Sequence, residues 1–169
     1  MWPKRSSSEE DNESNPNFRV VKGKLFACGS LKYISMFSEK EAEYIKSQRL
    51  ARIATVSPEE LQPDIVPVGF DFDGANFYIS GKNLLNTTKY KNVMKNNKVS
   101  LVIDDLKPGD SWEPRGMKIY GTADVTGDHE GYLGRTTYLK ITPKKKWSWG
   151  VEAPVFVDGK FMVNKASAG

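Results

Sequence analysis

One cysteine, Cys28, and one histidine, His129, occur in the 169 residues, so neither an intramolecular disulfide nor a Cys/His metal cluster can be assembled. No apolar run approaches the ~20 residues a membrane-spanning helix needs, and the N-terminus lacks the apolar stretch of a signal peptide. The expectation is a protein with no membrane contact and a cytoplasmic location. The Gly-x-Gly-x-x-Gly turn of dinucleotide folds is missing, and Gly81-Lys82-Asn83 has neither the spacing nor the Ser/Thr of a P-loop. His129 lies in the polar stretch 126–131 with no Ser or Cys nucleophile motif beside it, and is read as a surface histidine in a loop. Asp104 and Asp105 are neighbours on a strand, so they point to opposite faces and mark its end rather than an acid/base or metal pair.

What is present fits one soluble domain with an appendage. Lys and Arg total 25 against 21 Asp and Glu, and the net charge of +4 favours an anionic partner without choosing between nucleic acid and a phosphorylated small molecule. Residues 1–17 are polar, with the run Ser6 to Glu13, and are read as a flexible tail. Phe18 to Tyr33 carries scattered apolar residues without a helical or strand period, and reads as a semi-ordered arm. The division is an extension over 1–35 and a folded domain over 36–169.

The domain opens on a capping box, Ser38 with Glu41, which predicts a helix from Glu39 to about Arg49 with Ala42, Ile45 and Leu50 on its buried face. Ala51–Val56 alternates as a strand, and Ile65–Phe72 and Asn76–Gly81 form a hairpin on Asp73-Gly74. Asn83–Asn97 suits a short helix. Strands follow at Val99–Ile103, Met117–Val125 and Tyr138–Trp149, the last interrupted at Pro143, and a hairpin on Asp158-Gly159 closes the chain. Six to seven strands and two helices predict a mostly-β fold, a small barrel whose closure removes exposed edges.

Two constellations stand out. Gly81-Lys82 and Asn86-Thr87-Thr88-Lys89-Tyr90-Lys91-Asn92 place hydroxyls and lysines at a helix start, where unpaired N–H groups suit a phosphate monoester. A solvated lysine-rich helix explains the same residues equally well. Lys144-Lys145-Lys146 precedes Trp147-Ser148-Trp149, an arrangement that suits stacking on a planar ring or on bases, and suits plain packing as well.

Several stretches, in order, resemble the split-barrel flavin-binding proteins related to pyridoxamine phosphate oxidase, in particular the branch that uses the deazaflavin coenzyme F420. They are Phe37–Glu41 with Gln48–Val56, Val66-Pro67-Val68-Gly69-Phe70, Thr87-Thr88-Lys89 with Asn92-Val93 and Val99–Val102, Pro114–Ala123, and Ile141–Gly150. The resemblance spans Met36 to Val151. It implies a homodimeric FMN-binding split barrel that binds FMN or the deazaflavin. Thr87, Thr88 and Lys89 would hold the phosphate, with Lys82 and Lys91 adding positive potential beside Ser80 and Gly81. Val66, Pro67, Val68 and Gly69 would line the ring, while Arg115 and Trp149 would approach from the partner subunit. Two departures matter: Thr88-Lys89 stands where the oxidase has an Arg-Lys pair, and Gly116 where it has glutamine. Pyridoxamine phosphate oxidation is therefore not assigned.

The implied activity is hydride transfer between the bound ring and an organic small-molecule substrate. The cofactor carries the chemistry, so no catalytic side chain is assigned. A carrier or sensor with the same site is the alternative. A nucleic-acid binder is disfavoured, since acidic residues nearly balance the basic ones and no recognition motif appears.

Overall fold

The computed structural model describes residues 35–168 in full and, as backbone, two strands that precede them. The expected tail over 1–17 and Cys28 lie outside the described residues. The chain divides into two units, Met1–Ile34 and Ser35–Gly169. In the first, β1 (Phe18–Val21) and β2 (Lys24–Ala27) pair antiparallel, so the arm contains a hairpin that the sequence pattern does not reveal.

The second unit is a strand-dominated barrel. Helix α1 (Glu39–Ser47) begins where expected. The Glu41 N–H donates to Ser38 Oγ at 3.2 Å, and the Ser38 N–H to Glu41 Oε2 at 2.9 Å. The helix ends two residues early, because Gln48 is extended, and its buried face is Glu41, Tyr44 and Ile45 rather than Ala42, Ile45 and Leu50. Leu50 is exposed. The face is turned because Glu41 goes inside to meet charged and polar groups on a later strand.

Strands β3 (Ala51–Val56), β4 (Pro63–Val68), β5 (Asp71–Phe72), β6 (Phe77–Ile79), β7 (Lys98–Leu106), β8 (Pro114–Gly131), β9 (Gly134–Trp149) and a last strand, Asn164–Ser167, form one antiparallel sheet. It has eight strands, not six or seven. The path runs β4-β3-β7-β8-β9-β6-β5, with the last strand alongside β9. Its two ends, β4 and β5, are joined by only Gly69 and Phe70, so the sheet must curl back on itself. Phe37, Phe70, Phe72 and Phe77 fill that closure, with ring centroids 4.8–5.8 Å apart. Between β6 and β7 a 3-10 turn (Leu84–Asn86) leads into helix α2 (Thr88–Lys95). Strands β10 (Phe156–Val157) and β11 (Lys160–Phe161) form the predicted closing hairpin, which makes the last strand β12.

Strand β9 passes through Pro143 instead of stopping there. Proline cannot donate to a ladder, and the register slips: Tyr120 faces Lys145 and Gly121 faces Pro143, leaving Lys144 as the extra residue of a bulge. Strand β8 is also longer than expected and includes His129, which lies on the strand rather than in a loop. Its ring stacks on Tyr78, centroids 4.2 Å apart.

Candidate functional site

Helix α2 is fixed to the sheet by Asn92, whose Nδ2 donates to Thr55 Oγ1 at 3.1 Å in the interior. Thr87 caps it: Oγ1 accepts from the Tyr90 N–H at 3.3 Å and donates to the Leu84 carbonyl at 2.6 Å. The Thr87 side chain is thus spent on the helix. The N–H groups of Thr88 and Lys89 have no acceptor among the described residues, and the Thr88 hydroxyl is exposed. Those two amides carry the positive end of the helix dipole.

Lys89 is partly buried and makes no salt bridge among the described residues. Burial lowers its pKa below the usual 10.5, and the nearby Asp64 carboxylate opposes that shift only in part. A desolvated ammonium beside two unpaired amides is an electropositive niche of the kind a phosphate dianion fills. Asp64 belongs to β4, so the niche adjoins the strand expected to line a ring. Lys82 and Lys91 are exposed and add charge without a fixed partner among the described residues.

On β4 the side chains of Val66 and Val68 face the core, opposite Ile53 and Ala51, and Val68 is buried. Of the four residues expected to line the ring, Pro67 and Gly69 and the backbone edge are left accessible. Pro63 and Pro67 cannot donate to β3, so both occupy positions whose backbone groups point away from it. With β4 at the end of the sheet order, that outer edge is rich in carbonyl acceptors and carries few N–H donors. Ser80 is not free: its Oγ donates to the Thr137 carbonyl at 2.7 Å. Gly81 follows it in the exposed turn toward Lys82.

Tyr132, in the turn between β8 and β9, was invisible to sequence reasoning. Its hydroxyl accepts from the Ser80 N–H at 3.1 Å and lies 2.9 Å from the Ser80 carbonyl and 3.0 Å from the Gly69 carbonyl, its two possible acceptors. The only signal was an aromatic residue in a Gly131-Tyr132-Leu133-Gly134 turn.

Arg115 and Trp149 are not brought together. Arg115 shares its face of β8 with the buried Met117 and Ile119, whereas Trp149 shares its face of β9 with Trp147, on the outer side. Arg115 donates from Nε and Nη2 to the two Asp105 oxygens at 2.7 and 2.8 Å, and its guanidinium lies 5.3 Å from the Tyr44 ring centre. The pair holds the Asp105 carboxyl below its usual range. Asp105 is therefore more than a strand end. Arg115 lines a cavity of about 510 Å³ with Lys40, Tyr44 and Lys107, which does not include Lys89. At Gly116 a Cβ would sit 2.6 Å from the Ile103 carbonyl oxygen, so the strand pair excludes any side chain, glutamine included.

The basic run 144–146 is split by the bulge. Lys144 and Lys145 are exposed along an outer groove of about 670 Å³, while Lys146 is buried and paired with Glu41. Burial pushes the Glu41 carboxyl up. Hydrogen bonds from Lys146, Ser148 and the Ser38 N–H outweigh it and leave the group below the ordinary 4.5. Among the described residues no group of three His, Cys, Asp or Glu side chains could hold a metal, and no helix is long and apolar enough to cross a membrane.

A 5a,11a-dehydrotetracycline/5a,11a-dehydrooxytetracycline reductase of Streptomyces rimosus is 33% identical over 121 residues, 69% of this chain and 84% of the relative. Among solved structures, a conserved hypothetical protein of Mycobacterium tuberculosis superposes with a TM-score of 0.55 at 20% identity, over 78% of this chain and 98% of its own. A candidate pyridoxamine 5'-phosphate oxidase of Lactobacillus delbrueckii gives a TM-score of 0.52 at 19% identity, over 69% and 96%. These two likenesses support the split-barrel fold. The sequence profile of pyridoxamine 5'-phosphate oxidase matches residues 37–149, from the ring of Phe37 in the barrel closure to the end of β9, and the chain belongs to that family.

Proposed function

We propose that this protein is a flavin- or deazaflavin-dependent oxidoreductase that works as a homodimer. The observation that carries the reading is Lys89: a partly buried ammonium with no salt bridge among the described residues, at the N-terminus of α2 and near Asp64 of the acceptor-rich strand β4. Those two features match the two ends of a ring carried on a ribityl phosphate. FMN and the deazaflavin share that plan. Lys89 and the N–H groups of Thr88 and Lys89 hold the phosphate, with the Thr88 hydroxyl beside them and Lys82 and Lys91 raising the local potential. The β4 edge and Pro67 orient the ring, whose imide N–H finds carbonyl acceptors there. Ser80 acts through its backbone, as its hydroxyl is already used.

The bound ring supplies hydride transfer, so the protein needs no nucleophile or acid/base pair of its own. The chain's part is to bind, to orient and to exclude water. Kinship with a reductase acting on a dehydrotetracycline favours catalysis over carriage, with a conjugated organic molecule as the substrate class. One barrel leaves the ring's outer side open, and a second copy would cover it. Trp149, on the outer sheet face, is placed to take part, whereas Arg115 is committed to Asp105. Under anaerobic conditions, protein loaded with reduced FMN or reduced deazaflavin should return the oxidised ring spectrum when a conjugated enone is added, faster than the free cofactor does. Equal rates with and without protein would leave only a carrier.

A further inference from the structure

We propose that Tyr132 is a positioning residue for the cofactor site, locking the ring-facing and phosphate-side segments together from the tip of the β8–β9 hairpin. The inference rests on the cofactor reading above. Gly69 follows directly on the ring-facing strand β4, and Ser80 opens the segment that leads through Lys82 to α2. They are eleven residues apart in sequence and lie just past the ends of different strands, β4 and β6. A single phenol oxygen ties them, accepting from the Ser80 N–H at 3.1 Å and reaching the Ser80 and Gly69 carbonyls at 2.9 and 3.0 Å.

The ring is also seated by shape. A Cβ at Gly69 would lie 3.3 Å from Tyr132 Cε2, so the aromatic edge rests close on the backbone and any side chain there would have to push it by a few tenths of an ångström. The backbone around Tyr132 is held in turn: its N–H donates to Asp71 Oδ2 at 2.7 Å, and the next N–H, of Leu133, to the Tyr138 hydroxyl at 2.9 Å. Burial raises the Tyr132 pKa, so the phenol stays protonated and keeps the proton it donates to a carbonyl. Phe37, Phe70, Phe72 and Phe77 pack the barrel closure among themselves, while Tyr132 stands outside that cluster with its ring edge-on to Tyr138, centroids 5.8 Å apart. A tyrosine whose hydroxyl secures two loop backbones is serving their relative position.

Three variants test this. Tyr132→Phe keeps the ring and removes the oxygen, and Gly69→Ala displaces the ring while leaving the oxygen. Ser148→Ala removes a buried hydrogen bond to Glu41 in the core, without touching Gly69, Ser80 or the hairpin tip. Each is titrated with FMN and with the deazaflavin, with thermal melting and the visible circular dichroism of the bound ring as further readouts. Tyr132→Phe and Gly69→Ala should weaken binding about tenfold and change the ring's dichroism, while Ser148→Ala lowers the melting temperature at unchanged affinity. Affinity losses that merely track melting temperature across all three, or an unchanged affinity in Tyr132→Phe, would overturn the positioning role alone. A wild-type protein that binds neither cofactor would overturn the cofactor reading and this inference with it.

Discussion

Replacing Lys89 with alanine should weaken cofactor binding and leave the fold intact. Position 89 is the second residue of α2, where alanine is a good helix former and the cap from Thr87 is untouched, so the helix persists. What disappears is the ammonium beside the unpaired N–H groups. A charge-assisted hydrogen bond contributes about 1.5–3 kcal/mol, and partial solvent access at Lys89 favours the lower end. About 1.5–2 kcal/mol corresponds to a rise in Kd of about ten- to thirtyfold. Asp64, which faces Lys89, is left without its nearby cation and adds repulsion toward a phosphate. The pH dependence follows from the same group. The ammonium is the binding form, and burial lowers its pKa from the usual 10.5, so wild-type affinity should decline on the alkaline side earlier than for an ordinary lysine. Lys89→Ala should lose that decline. Fluorescence titration with FMN and the deazaflavin over a pH series, with circular dichroism for folding, measures both effects. Lys144→Ala, at the exposed bulge, is the contrast and should bind normally. Unchanged affinity for both cofactors in Lys89→Ala would refute the phosphate site.

Glu41→Gln should destabilise the fold by about 3–5 kcal/mol in urea unfolding, because it strands the buried Lys146 ammonium, and a second change, Lys146→Met, should recover much of the loss. Since the Glu41 pKa lies below 4.5 in the folded chain, its contribution is present above that pH and should fade as the solution is acidified through the folded value, a limb missing in Glu41→Gln. Gly116→Gln should lower the melting temperature without conferring pyridoxamine phosphate oxidation, because its Cβ meets the Ile103 carbonyl. Sedimentation should find a dimer, and a strictly monomeric species with full cofactor affinity would contradict the proposed assembly.

Features set by local chemistry were readable before the structure. The capping box fixed the start of α1, alternation fixed β3 and β7, and turn residues fixed the hairpin tips, although only Asp71–Phe72 of the expected strand Ile65–Phe72 pairs across Asp73-Gly74, the earlier part pairing with β3 instead. What escaped depends on partners far along the chain. The face of α1 could not be read because Glu41, a charged residue, is buried against Lys146 and Ser148, more than a hundred residues away. The same distant pairing hid the splitting of the lysine run by the Pro143 bulge. The helix start at Thr87, Thr88 and Lys89 was legible because a cap is local. Tyr132 was not, as its role lies in contacts with Gly69 and Ser80 across the barrel. The placement of Arg115 and Trp149 on opposite faces turned on strand parity, which periodicity alone leaves ambiguous near a strand's end.

The most direct test of the account is the visible absorption spectrum of the purified full-length protein as FMN, and separately the deazaflavin, is titrated in. The account predicts a saturable shift of the ring bands with at least one of them, lost together with affinity in Lys89→Ala. Spectra identical to those of the free cofactors throughout both titrations would contradict it.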